Sequence, residues 1–378
     1  MRFCIWTRCI LLVTFNIYEN ALLCSTSYWT IDWRQGMNSY ERVLAALEGR
    51  WPDRVPVMLH NFLMAAEEAG FTQEEYRNDP KIIAQSHIEA VEKYGYDGVM
   101  IEMDTTVMAG AAGVPVDFPV NEPARVHEPL LRNIEDVAKL RKVNVEDYRY
   151  AQITLEAVRL VVDHFKGEIF VRGNCDQVAF SIATMVRTPS EFMMDLLDEV
   201  HRDQIFELLE HCTDISCQYL RLMAQTGCHM LSNGDSPAGP DLISPHMYET
   251  FALPFEKKNV EEAHSLGLPY GLHICGDTTA ILNPMVETGT DALELDYKTD
   301  TQTAHDALKD RVTFIGNIDP SGVIGRGAVQ DVQIETEKLL AIFSDTPRFI
   351  LNAGCAIPQG TPSENIEAMI EAASSFSR

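Results

Sequence analysis

From residue 37 onward, short apolar runs alternate with longer stretches in which apolar residues recur every three or four positions. The short runs are Val55–Leu59, Gly98–Met103, Ile169–Gly173, His229–Gly234, Tyr270–Cys275, Ala292–Asp296, Val312–Asn317 and Arg348–Ala353. Compact runs of this kind predict buried strands. Segments such as PKIIAQSHIEAVEKYG and TQTAHDALKD between them predict amphipathic helices. Gly95, Gly227, Gly267 and Gly289 each follow a helical stretch, where a C-terminal cap belongs. Eight strands alternating with helices predict a parallel sheet covered by helices. Eight in succession without a second-domain signal predict its closure. The expected fold is α/β, a (β/α)8 TIM barrel forming a single domain over residues 37–378. A doubly wound sheet is the runner-up, but VPVMLHNFLMAAEEAG carries no G-x-G-x-x-G after the first strand. The long insertion from Thr105 to Glu168, between the second and third strands, predicts extra helices over the barrel mouth.

Residues 1–36 read differently. Arg2 and Arg8 precede a short apolar run from Cys9 to Phe15, as in a signal peptide, which Asn16, Glu19 and Asn20 then break. The run is too short to span a bilayer and lacks a clean small-x-small cleavage pattern. Met37 is the expected natural start, with the leader an upstream-translation artefact or a disordered tail. A targeting segment is the alternative. Leaving the leader aside changes the net charge of −26 only by one, because it holds three basic and two acidic residues.

That charge, from 30 basic and 56 acidic side chains, argues against a nucleic-acid partner. No stretch argues for a membrane. The nine cysteines are irregularly spaced in a long chain, as suits reduced thiols in a cytoplasmic protein rather than a disulfide framework. Cys175, Cys212, Cys217 and Cys228 are expected in the core.

Two cysteines have a different setting. In GLHICGDTT, His273 and Cys275 lie two apart at the C-terminal end of a predicted strand, so both face the barrel mouth. In NAGCAIPQG, Cys355 follows the last predicted strand. One imidazole and two thiolates from different strand ends make a three-ligand zinc set, and three protein ligands leave a fourth position for chemistry. Asp296, outermost in ALELDYK, is a candidate fourth ligand or an orienting group, while Glu294 lies one layer deeper and reads as structural. His60, Arg172, Asn174, Asp235, Asn317 and Asp319 are further strand-end polar residues and candidates for substrate binding.

From Met37 onward the chain resembles the uroporphyrinogen decarboxylase superfamily, and within it the methylcobamide:thiol methyltransferase branch. LHICGDTTAILNPMVETGTDALELD, RVTFIGNIDPSGVIGRG and FILNAGCAIPQGTPSENIEAMIEAA carry the resemblance most specifically, and RVPVML and YGYDGVMIEMDTTVMAGAAGVPVDFP carry it more loosely. It implies zinc on His273, Cys275 and Cys355. It also implies methyl transfer between a corrinoid on a separate carrier protein and a thiol or folate acceptor. The decarboxylase signature R-Q-A-G-R-Y is replaced here by LHNFLMAAEEAG. The alternatives are a cofactor-free uroporphyrinogen III decarboxylase and a non-catalytic corrinoid- or tetrapyrrole-binding module with a structural zinc.

Overall fold

The computed structural model describes residues 36–376. The leader, with Cys4, Cys9 and Cys24, lies outside them apart from Gly36. The eight expected strands form one parallel sheet: β1 (Met58–Leu59), β2 (Gly98–Ile101), β5 (Phe170–Gln177), β6 (Met230–Gly234), β7 (Tyr270–Ile274), β8 (Ala292–Leu295), β9 (Thr313–Ile318) and β10 (Phe349–Ala353). The sheet closes where Val57 bridges Leu351 in parallel, and the Leu351 amide donates to the Pro56 carbonyl at 2.9 Å. The fold is therefore a (β/α)8 barrel. Gly95, Gly227, Gly267 and Gly289 all adopt positive φ, between 70° and 87°, the conformation that ends a helix at little cost to glycine.

The insertion departs from expectation. It holds one short helix (Val107–Ala112), an antiparallel pair of two-residue strands, β3 (Val116–Asp117) with β4 (Arg125–Val126), and two 3-10 turns. The long helix in its last third, Arg149–Phe165, packs against β2, β5 and the helix Pro80–Tyr94, so it belongs to the barrel itself and not to a cover over the mouth. Two-residue strands between prolines give no alternation to detect. Buried Asp104 ties the insertion down, accepting from the Ala124 amide at 2.7 Å and pairing with Arg77 at 2.9 Å.

The inside of the barrel is layered by the two-residue period of its strands. At the base, Met58, Phe170, Met230, Ala292, Ile315 and Ile350 pack with Val43, Ala46 and Leu47 of the helix Ser39–Leu47. That helix starts in a capping box, with the Glu41 amide donating to the Asn38 side chain at 2.8 Å and the Asn38 amide donating to Glu41 at 3.0 Å. Its Arg42 anchors it to fully buried Asp97 at 2.6 Å. Two residues further along five of these strands, the lining turns polar: His60, Arg172, Ser232, Glu294 and Asn352. The change from apolar plug to polar layer places chemistry at the C-terminal ends of the strands.

Candidate metal centre

Strand β7 delivers His273 on its last turn of pleat, and Cys275 follows on the same face. The His273 Nδ1 donates to the Glu294 carbonyl at 2.9 Å, which leaves Nε2 turned toward the sulfurs. Cys275 Sγ lies 3.0 Å from that Nε2 and 3.6 Å from Cys355 Sγ. The candidate ligand atoms of all three residues fall within 4.8 Å of one another. Ligands around tetrahedral zinc stand about 3.5–3.8 Å apart, given bonds of about 2.0–2.3 Å, so the donor set fits that ion.

Two glycines make the convergence feasible. Gly276, at φ 89°, turns the chain sharply after Cys275, and its amide donates to Asp296 at 2.9 Å. A Cβ on Gly354 would stand 2.5 Å from the Tyr297 backbone nitrogen. Only glycine lets the segment carrying Cys355 lie this close to the loop after β8.

The sulfurs are electrostatically unequal. The Cys355 thiol facing Cys275, together with the His273 imidazolium, holds Cys275 far below the usual thiol range despite its burial. The same contact with Cys275 pushes Cys355 up. Cys275 is thus the first to present a thiolate, and binding of a divalent cation would draw the proton from its neighbour as well.

Above the polar layer lies a cavity of about 220 Å³, lined by His60, Arg172, Asn174, Glu294, His273, Cys275 and Cys355 among others. Glu294 is its hub. It receives Arg172, His60 at 2.9 Å and Asn352 at 3.4 Å. The other ring nitrogen of His60 meets Glu102 at 2.6 Å. Burial opposes a charge on His60, but Glu102 and Glu294 outweigh it and raise its pKa to about 9. Burial likewise works against ionised Glu294, and Arg172 and His60 bring it well below the carboxylate range.

A pH profile follows from these shifts. The His60 contribution to stability is complete below its ordinary pKa of 6.5 and is lost as pH climbs through about 9. That of Glu294 is present above 4.5 and lost only in strong acid. The thermal midpoint is therefore expected to fall between pH 7 and 9 in wild type and to fall less steeply in His60→Gln. Parallel alkaline limbs in the two proteins would contradict the assignment.

The other strand-end candidates divide. Arg172, Asn174 and His60 line the cavity. Asp296 does not join the three candidate ligands: its two oxygens accept from the Gly276 amide and, at 3.0 Å, the Lys298 amide, which makes it a holder of loops. Asp235 points behind the cavity wall, where it accepts from the Ser181 amide at 2.8 Å and hydroxyl at 2.6 Å, and burial pushes its pKa up to about 7. Asn317 donates to the Asp296 carbonyl at 3.1 Å, and Asp319 caps the turn at Ser321 and Gly322. Both line a separate cleft with Thr301 and Leu339 rather than the cavity. Cys175, Cys212, Cys217 and Cys228 are buried. Sequence reasoning missed Glu102, Asp104 and Asp176, all of which line the cavity. Glu102 was within reach, since it directly follows β2, two residues on from Met100. No described helix is long and apolar enough to cross a membrane.

Known proteins place this geometry in context. The chain is 28% identical over 340 residues to the methylcobamide:CoM methyltransferase MtbA of Methanosarcina acetivorans, covering 89% of this chain and 97% of the relative. It is 26% identical over 296 residues to the uroporphyrinogen decarboxylase of Syntrophotalea carbinolica, covering 77% and 83% respectively. A solved methyltransferase from Methanosarcina mazei shares the fold, with a TM-score of 0.82 at 22% identity, over 90% of this chain and 99% of that one. The family described as uroporphyrinogen decarboxylase (URO-D) matches residues 38–376, which takes in the barrel from its basal plug to its last helix, and the chain belongs to that family.

Proposed function

We propose that this protein moves a methyl group between a methylated corrinoid on a partner protein and a small thiol acceptor, with zinc held by His273, Cys275 and Cys355. The observation that carries the reading is the convergence of those three donors on the wall of a strand-end cavity, in a chain similar to methylcobamide:CoM methyltransferases. Zinc, when bound, lowers the pKa of a thiol in its open position so that thiolate prevails at neutral pH. The acceptor sulfur forms its bond to the methyl carbon as the carbon–cobalt bond breaks. The electron pair stays on cobalt, and the products are a thioether and Co(I).

The protein's own residues bind and orient. The Glu294 carbonyl fixes which nitrogen of His273 faces the sulfurs, and Arg172, His60 and Asn352 hold the strand ends around Glu294. A cavity of about 220 Å³ suits a small acceptor better than a folate or a porphyrinogen, since pockets for drug-sized ligands run to about 300–1,000 Å³. A cofactor-free decarboxylase has no use for the donor set, and its polycarboxylate substrate would meet a single lining arginine, Arg172, already paired with Glu294. A structural zinc takes four protein ligands, whereas this cluster offers three among the described residues.

Chelation tests the reading. Protein stripped with EDTA is expected to lose methyl transfer from methylcobalamin to a thiol and to regain it with zinc or cobalt(II) but not magnesium. Full transfer with metal reduced below about a tenth of an equivalent would sink the proposal, because an activated thiolate needs the metal.

A further inference from the structure

Asp176 lies beyond the expected end of its strand, where the pairing of β5 with β6 shifts register between Asn174 and Gln177. It has a φ of 60°, unusual for a residue with a side chain, and it lines the cavity while only 4% exposed. Its Oδ2 accepts from the Met108 amide at 2.7 Å, and its Oδ1 has no hydrogen-bond partner. Buried polar atoms without partners are few in native proteins and call for an explanation.

The charges around it supply one. The Arg172 guanidinium is balanced by Glu294, His60 by Glu102, and Arg77 balances Asp104 from behind the wall. At the metal site, the thiolates of Cys275 and Cys355 would balance a divalent cation. Asp176 is left over: among the described cations lining the cavity, Arg172 and His60 are paired with carboxylates, and His273 is turned to the Cys275 sulfur. Burial pushes the Asp176 pKa up against the Met108 hydrogen bond and the Gln177 side chain, and the nearby Glu102 and Asp104 add to the rise.

We propose that the acceptor seated in this cavity carries a cationic, hydrogen-bond-donating end group, an ammonium, directed at Asp176 and its neighbours Glu102 and Asp104. The inference rests on the thiol-acceptor reading above and names the substrate class, an aminothiol. An ammonium completes the empty acceptor on Asp176 and lies near Glu102 and Asp104. As a thiolate, an aminothiol is a zwitterion, so its ammonium offsets the one carboxyl without a cationic partner while its sulfur turns to the metal site. A sulfonate or carboxylate at that end would face Asp176 and find no uncommitted cation.

Two probes of equal length and opposite end charge decide it: 2-aminoethanethiol and 2-mercaptoethanesulfonate. Binding is read from the visible bands of the cobalt(II)-substituted protein, and turnover from methylcobalamin. The aminothiol is expected to bind about tenfold to a hundredfold more tightly, the range of one charge-assisted hydrogen bond. Asp176→Asn keeps an oxygen for the Met108 amide and is expected to bring the two probes within about threefold of each other. Equal or tighter binding of the sulfonate by wild type would overturn the proposal without any variant. So would an undiminished preference in Asp176→Asn. If neither thiol moved the cobalt bands, the thiol-acceptor reading itself would fall, and this proposal with it.

Discussion

Cys275→Ala and Cys355→Ala are each expected to purify with less than about a fifth of the zinc found in wild type, which should hold about one equivalent. Methyl transfer should fall by at least about a thousandfold, since metal activation of the acceptor contributes several kcal/mol. The loss has a geometric cause. The two sulfurs stand 3.6 Å apart and His273 Nε2 stands 3.0 Å from Cys275, so each residue fills one corner of a single small polyhedron. With two donors left, the ion has too few protein ligands to compete with water. The fold should persist in both variants, because the cysteines sit at strand ends above the polar layer and not in either apolar core. Cys217→Ala is the control: its buried thiol touches Asn259, so zinc should remain near one equivalent. Equal zinc in all four proteins would remove the metal centre from consideration. Zinc loss accompanied by global unfolding would point to a structural ion instead.

The sequence carried the strands because their apolar runs are short, β-branched and closed by turns, and the two-residue period then assigns faces without further information. His273, Cys275 and Cys355 were legible for the same reason, as polar residues at the ends of otherwise apolar runs. Distance along the chain was no obstacle, since barrel topology sends every strand end to one rim. Asp235 and Asp296 share that sequence position but not that fate. Backbone amides at Ser181, Gly276 and Lys298 claim their oxygens, and loop paths of this kind leave no periodic mark. Asp176 was hidden by a register shift, which breaks the face assignment on which the reading relies. Glu294 was placed at the right depth but undervalued. One residue alone does not reveal that three other strands aim a guanidinium, an imidazole and an amide at it.

That undervalued carboxylate supports the second large prediction. Glu294→Ala is expected to destabilise the protein by about 3–5 kcal/mol, because removing one member of a buried ion network leaves the others charged and unpaired. Arg172 is 1% exposed and His60 7% exposed, so neither reaches bulk water to recover the lost solvation. His60 keeps Glu102, whereas the guanidinium of Arg172 is left with only the Ser232 hydroxyl at 2.7 Å. Glu294→Gln retains an acceptor without the charge and should lose less. The zinc content of both variants should stay near that of wild type, because His273 is oriented by the Glu294 carbonyl on the main chain and not by the carboxylate. Urea denaturation and metal analysis on the same samples separate the two effects. In a double-mutant cycle with Arg172→Met, the pair should show a coupling energy at the upper end of the ~0.5–3 kcal/mol seen for contacting residues. A stability loss under about 1 kcal/mol in Glu294→Ala would mean that water enters the polar layer and shields its charges. A layer screened in that way could not hold the strand ends rigid around His273, Cys275 and Cys355.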